Sequence, residues 1–168
     1  MARDNKRDSR GRGDAPRRDF DQKVVEIKRV TRVVAGGKRM RFRALVVIGD
    51  HKGKVGMGLR KGPDVAEAVN KAVNAAKKNM LIVPLENETI PHAVKLKFSS
   101  SKIVLFPAAP GTGIIAGGAL RSVLELAGAN NILSKMLGSS NKVNNVKAVF
   151  AAFKQMKSKK ELRERRKK

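Results

Sequence analysis

The 168-residue chain has no cysteine, no tryptophan and no tyrosine, and its only aromatic residues are six phenylalanines. Without cysteine there is no disulfide framework, no thiolate zinc site and no cysteine nucleophile. Histidine is almost as scarce: His51 and His92 stand far apart, which argues against a histidine-rich metal centre. Acidic residues are few as well, with 14 Asp and Glu against 38 Lys and Arg, a formal net charge of +24. Such a chain repels itself until a polyanion neutralises it, so nucleic acid, an acidic protein or a membrane surface are the candidate partners. No segment approaches the ~20 apolar residues of a membrane helix. The longest apolar stretch, residues 113–120, is short and rich in Gly and Ala, and the first twenty residues lack the apolar core of a signal peptide. The expectation is a soluble cytoplasmic protein without membrane association. Hydrophobic residues still make up 41 % of the chain, enough to build folded cores.

The positive charge is unevenly placed. Residues 1–20 carry net +3, residues 21–84 carry fifteen cations against five acids for net +10, residues 85–153 carry only +4, and residues 154–168 carry +7. This division predicts two folded parts with different tasks, over 21–84 and 85–156, flanked by a basic extension at 1–20 and a basic tail at 157–168. The flanks have little to bury and are expected to be disordered alone.

In the first part a β-rich run through Val24, Val25, Ile27 and Val30 reaches Val34, and Ala35-Gly36-Gly37-Lys38 reads as a turn. Residues 39–45 then alternate charged and apolar, the period of a half-buried strand, which puts Arg39, Arg41 and Arg43 on one face at about 6.5–7 Å spacing. A second turn, with Lys52, precedes a third strand from Lys54, in which Gly56 and Gly58 leave one face bare for a close backbone approach. Asp64 followed by Glu67 reads as a capping box. Val65, Val69, Ala72, Val73, Ala76 and Met80 are expected to form the core stripe of the helix that follows. The predicted unit is a three-stranded antiparallel sheet plus one helix. Its candidate RNA-binding cations are Lys28, Arg29, Arg32, Lys38, Arg39, Arg41, Arg43, Lys52, Lys54, Arg60, Lys61, Lys71, Lys77 and Lys78. Cations on turns and a helix edge reach phosphates without reading bases, and with no Trp or Tyr and Phe42 the segment's only Phe, folded RNA is better matched than unpaired bases.

In the second part, residues 89–98 and 102–106 read as strands joined by a Ser-rich turn, and residues 119–127 as a helix stopped by Gly128. The type of residues 132–137 stays open. A last helix is marked by Val146, Val149, Phe150 and Phe153. Gly111-x-Gly113-x-x-Ala116 has the spacing of a dinucleotide-binding turn. That reading lacks the acidic residue about twenty positions on, since residue 131 is Asn, and there is no Walker Gly-Lys-Ser/Thr. A Gly-rich turn against a neighbouring backbone is the better local reading. No catalytic constellation, metal site, cofactor or small-molecule substrate is expected.

Residues 29–39 (RVTRVVAGGKR), 43–58 (RALVVIGDHKGKVGMG), 75–80 (AAKKNM), 107–128 (PAAPGTGIIAGGALRSVLELAG) and the G-S-x-N turn at 138–141 together resemble the bacterial-type ribosomal protein S-five family, the fifth protein of the small subunit. The resemblance implies an α+β chain of two small domains. The first is double-stranded-RNA-binding-like, and the second is a two-layer α/β fold. It implies a non-enzymatic constituent of the small ribosomal subunit, cytoplasmic or in an organellar ribosome. Such a protein binds 16S-type rRNA, supports subunit assembly and translational accuracy, and lies near the decoding region and the entrance of the mRNA channel. It implies contacts with small-subunit proteins four and eight. The family loop matching Val30, Thr31, Arg32, Gly36 and Gly37 reaches toward the decoding region and the spectinomycin site. The surface matching Gly111, Thr112, Gly113 and Arg121 faces protein four and bears on accuracy. Ala35 stands where the family commonly has a basic residue, and Lys142 where a Pro usually follows Asn141.

Overall fold

β1 (Asp21–Val34) and β2 (Gly37–Gly49) form a long antiparallel hairpin, shifted once in register between Val24 and Glu26. The computed structural model describes residues 20–158. The expected extension at 1–20 and tail at 157–168 therefore lie outside the described residues, apart from Phe20, Lys157 and Ser158. β3 (Lys54–Gly62) pairs with β2 as far as Phe42–Gly62, and β4 (Met80–Ile82) adds to the far edge of β3. The sheet order is β1-β2-β3-β4, so the predicted three-stranded sheet gains a short fourth strand. Met80 belongs to that strand and not to the preceding helix, which ends at Lys78.

The helix α1 (Val65–Lys78) starts at Asp64, whose carboxylate accepts the Ala66 N–H at 3.3 Å. The Glu67 carboxylate takes the Lys71 ammonium one turn on, so of the expected capping box the Asp64 half is the one seen. The buried stripe of α1 is Ala68, Ala72, Ala75 and Ala76, with Val69 and Val73 only partly covered. The expected Val-rich stripe is thus rotated toward alanine. The cause is the bare strand face: a Cβ on Gly58 would stand 1.9 Å from the Ala72 carbonyl oxygen, and one on Gly56 2.6 Å from that of Ala76. With helix backbone lying directly on strand backbone, only methyl side chains fit at the contact.

Downstream, β5 (Val94–Phe98), β6 (Ser101–Pro107), β7 (Ile114–Ile115) and β8 (Ile132–Leu137) make a second sheet in the order β5-β6-β8-β7, with β7 parallel to β8. Residues 132–137, left open by the sequence, are its third strand in spatial order. The strand expected from residue 89 begins only at Val94, because Pro91 and the bend at His92 interrupt it. Helices α2 (Gly118–Ala127) and α3 (Lys142–Gln155) cover one face of this sheet. Their expected stripes are buried: Leu120, Val123, Leu124 and Ala127 on α2, and Val146, Val149, Phe150 and Phe153 on α3.

The two parts meet at the C-terminus of α2. A helix leaves its last carbonyls without internal partners. Here the β2–β3 turn supplies them: His51 N–H donates to the Leu126 oxygen at 3.1 Å, Gly53 N–H to that of Ala127 at 2.9 Å, and His51 Nδ1 lies 2.8 Å from that of Glu125. Gly128 ends the helix in the left-handed region at φ 87°, and a Cβ there would stand 2.1 Å from the His51 oxygen. Glu125 adds ion pairs to Lys23 on β1 at 2.5 Å and to Arg121 at 3.1 Å. The hydrogen bond from Lys23 holds the Glu125 carboxyl below the usual carboxylate range; partial burial opposes this, and Arg121 reinforces it. One apolar core runs through the junction, from Leu45, Val47 and Val55 of the first part to Leu120, Leu124 and Phe153 of the second. Residues 44–48 are therefore buried on both faces, by α1 on one side and the second part on the other. That is why this stretch of β2 loses the alternation of residues 39–43.

Gly58→Ala is expected to lower stability by about 1–3 kcal/mol or more, because the added methyl meets helix backbone that cannot yield. Gly36→Ala, with nothing within 4 Å, should change little. Thermal unfolding followed by circular dichroism compares the two; equal melting temperatures would contradict the packing described.

Candidate nucleic-acid interface

β3 stops at Gly62 opposite Phe42, so the hairpin continues beyond it as a two-stranded arm. The five residues of β1 from Val30 to Val34 give it a reach of about 17 Å at ~3.3 Å per residue. The face that packs on the second part near the junction emerges from under it on this arm. Its successive rungs are Lys28–Arg43–Lys61, Val30–Arg41 and Arg32–Arg39. Six cations thus share one uncovered strip. Arg39, Arg41 and Arg43 do lie on one face, as the alternation requires. Arg32, Arg39, Arg41 and Lys61 line a groove of about 270 Å³ together with Val30 and Thr31. Arg43 is the least free of the six: its side chain is 30 % exposed and its guanidinium lies 3.9 Å from Glu26, which also pairs with Lys28 at 3.4 Å.

The other cations are placed elsewhere. Arg29 and Lys38, opposite Phe42 and Val33, belong by register to the α1 side of the sheet, as does Arg60 opposite Ala44. Gly36 and Gly37 form the arm's tip. Lys52 and Lys54 flank the turn docked on α2, where Asp50 accepts their N–H groups at 2.8 and 2.9 Å. Burial works to raise the Asp50 carboxyl, but those backbone donors outweigh it and hold it low. On α1, Lys71 is paired with Glu67, and Lys77 is exposed. Lys78 borders a second groove of about 500 Å³ with Met80, Phe98, Phe150, Lys147 and Lys154. Lys147 and Lys154 were not among the expected cations, since their helix is far away in sequence.

The Gly-rich turn is closed by a residue that sequence spacing marks only as the wrong partner for a nucleotide. Asn131 Oδ1 accepts the N–H groups of Gly111 at 3.0 Å and Gly113 at 3.2 Å. The donors that would cradle a phosphate are therefore already engaged, and the Met136 methyl group sits against Gly117 at the start of α2. Thr112 turns its hydroxyl back to the Ala109 carbonyl at 2.8 Å. The turn runs through β7 into α2, where Arg121 is exposed and held by Glu125. Among the described residues no group of His, Cys, Asp and Glu could hold a metal ion, and no helix is long and apolar enough to cross a membrane.

Comparison with known proteins gives a consistent assignment. Residues 20–84 match the family model described as ribosomal protein S5, N-terminal domain, and residues 96–166 match ribosomal protein S5, C-terminal domain. The chain is 51 % identical over 152 residues to the small ribosomal subunit protein uS5 of Thermus thermophilus, covering 90 % of this chain and 94 % of the relative. It is 48 % identical to that of Treponema pallidum, covering 83 % and 81 %, and 49 % identical to that of Chloroflexus aurantiacus, covering 88 % and 83 %.

Asn131→Ala should cost about 1–3 kcal/mol in urea unfolding, because it removes the one acceptor that the Gly111 and Gly113 N–H groups share. Asn131→Asp keeps an acceptor oxygen and should lose less. Equal losses for the two would show that the acceptor is not what holds the turn.

Proposed function

The chain belongs to the ribosomal protein S5 family and is a structural, non-enzymatic component of the small ribosomal subunit; from that premise we propose that it grips folded 16S-type rRNA by phosphate contacts along the cationic strip of its β1–β2 arm. The observation that carries this reading is the run of Lys28, Arg32, Arg39, Arg41, Arg43 and Lys61 on adjacent rungs of a face that, among the described residues, no other element covers and beside which Glu26 is the only paired acid. Guanidinium groups at strand spacing suit repeated phosphates, and the strip offers no aromatic ring for stacking a base.

The frame explains how such a grip serves translation. The arm extends from a sheet fixed to the second part through the α2 junction, so a contact at Gly36–Gly37 is held at a set distance from the Gly111–Gly113 turn and Arg121. In this reading Val30, Thr31, Arg32, Gly36 and Gly37 reach toward the decoding region near the entrance of the mRNA channel. Gly111, Thr112, Gly113 and Arg121 meet small-subunit protein four, and small-subunit protein eight is a second neighbour. The protein works in the cytoplasm as part of the assembled subunit and supports assembly and accuracy. The same cations would also suit a free-standing double-stranded-RNA binder. Preference for the ribosomal site over arbitrary duplexes separates the two.

Six to ten phosphate contacts predict a loss of roughly 10³–10⁵ in rRNA affinity between 50 and 200 mM salt. Neutralising Arg39 and Arg41 should each reduce the slope of log affinity against log salt by about 0.7–1. Neutralising Arg43, half-buried beside Glu26, should reduce it less. Filter binding at several salt concentrations reads these slopes; an unchanged slope in the Arg39/Arg41 double variant would show that the strip faces solvent.

A further inference from the structure

Among the described residues, the second sheet has helices on one face only. Its opposite face is laid out by register in three rungs. Ile115, Leu133 and Phe106 form the first, Lys135, Val104 and Lys95 the second, and Leu137, Lys102 and Lys97 the third. Four of the five apolar members are open to solvent: Ile115 is 56 % exposed, Leu137 47 %, Phe106 43 % and Leu133 36 %, with Val104 partly covered between them. A contiguous apolar patch of this kind, rimmed by charge, marks an interaction site more often than a bare surface. All four charged members are lysines. None of the nine positions is acidic, and none of the four lysines has a carboxylate partner among the described residues.

We propose that this open face of the second sheet docks a neighbouring protein, one that presents an apolar strip flanked by carboxylates. Charge complementarity and the apolar rung choose the occupant together. A second copy of the chain would bring four lysines against four lysines. RNA would satisfy the lysines but leave Ile115, Leu133 and Leu137 against riboses and phosphates, and the face offers a single ring, Phe106, where a base-stacking sheet uses several. An acid-rimmed protein surface satisfies both parts. The face adjoins the Gly111–Arg121 surface at β7, through Ile115, but its other eight positions lie on β5, β6 and β8. The inference rests on the chain's place in the small subunit.

The test uses small-subunit particles that contain the full chain, treated with a carbodiimide, which joins a lysine amine to a carboxylate it touches. Peptide mapping should find Lys95, Lys97, Lys102 or Lys135 joined to Asp or Glu of another protein. The same lysines should lose most of the acetic-anhydride reactivity they show in the free chain. The double variant Ile115→Glu with Leu133→Glu places on side chains that are already exposed a charge that the partner's carboxylates repel. It should keep its circular dichroism and still co-sediment through the arm, while the cross-links disappear. A chain that co-sediments with these lysines as reactive as in the free protein, or joined to RNA or to a second copy, overturns this inference alone. A chain that never co-sediments overturns the proposed function as well.

Discussion

The seating of the β2–β3 turn on the C-terminus of α2 is the contact on which the rest of the molecule depends. Three carbonyls that a helix cannot satisfy internally are met by the N–H groups of His51 and Gly53 and by the His51 ring. The approach is close enough that glycine is needed on both sides. A Cβ on Gly49 would stand 2.1 Å from the Leu126 oxygen, as one on Gly128 would from that of His51. Leaving those groups unpaired in a buried junction would cost more than the bonds themselves contribute. This makes the seating strongly specified, and it locks the orientation of the two parts.

From that lock follows the division of the first sheet. Near the junction both faces are covered, and the strand reads as an unbroken apolar run. Past Phe42 neither α1 nor the second part reaches, and the same strand turns into an alternating ribbon of arginines. A two-stranded ribbon is marginal by itself, and Val33 and Met40 on it are largely exposed. Its cations repel one another. Both properties are those of an element completed by a polyanion and its surroundings, which agrees with a family whose members are built into the small ribosomal subunit.

Much of this could be read from the sequence. The period-two arginines, the bare Gly56/Gly58 face, the Asp64 cap, the α2 and α3 stripes and the Gly128 stop each follow from a local rule, and the quoted strings pointed to the family. What was not legible depends on contacts distant in sequence. Ala68 and Ala75 outrank Val65 and Val73 in the core because two glycines on β3 set the helix height. β4 is too short to carry a period and exists because β3 has a free edge. Residues 132–137 show no clean alternation, since both faces of that strand carry apolar groups. Asn131 looked like a missing acid and is the acceptor that closes the Gly-rich turn. Lys147 and Lys154 join Lys78 only once α3 is folded beside β4, the strand that follows α1. The scattered basic residues likewise resolved into one strip and several separate placements only when the register was known.

The account holds that the two parts form one frame through the α2 junction, and hydrogen exchange of the full chain tests it most directly. The amides of His51 and Gly53 should exchange only with global unfolding, as slowly as those of the core strands at Val46 and Leu105. Exchange of the two turn amides through a much cheaper local opening, with both cores still protected, would mean that the parts separate readily and that the junction does not hold the arm in place.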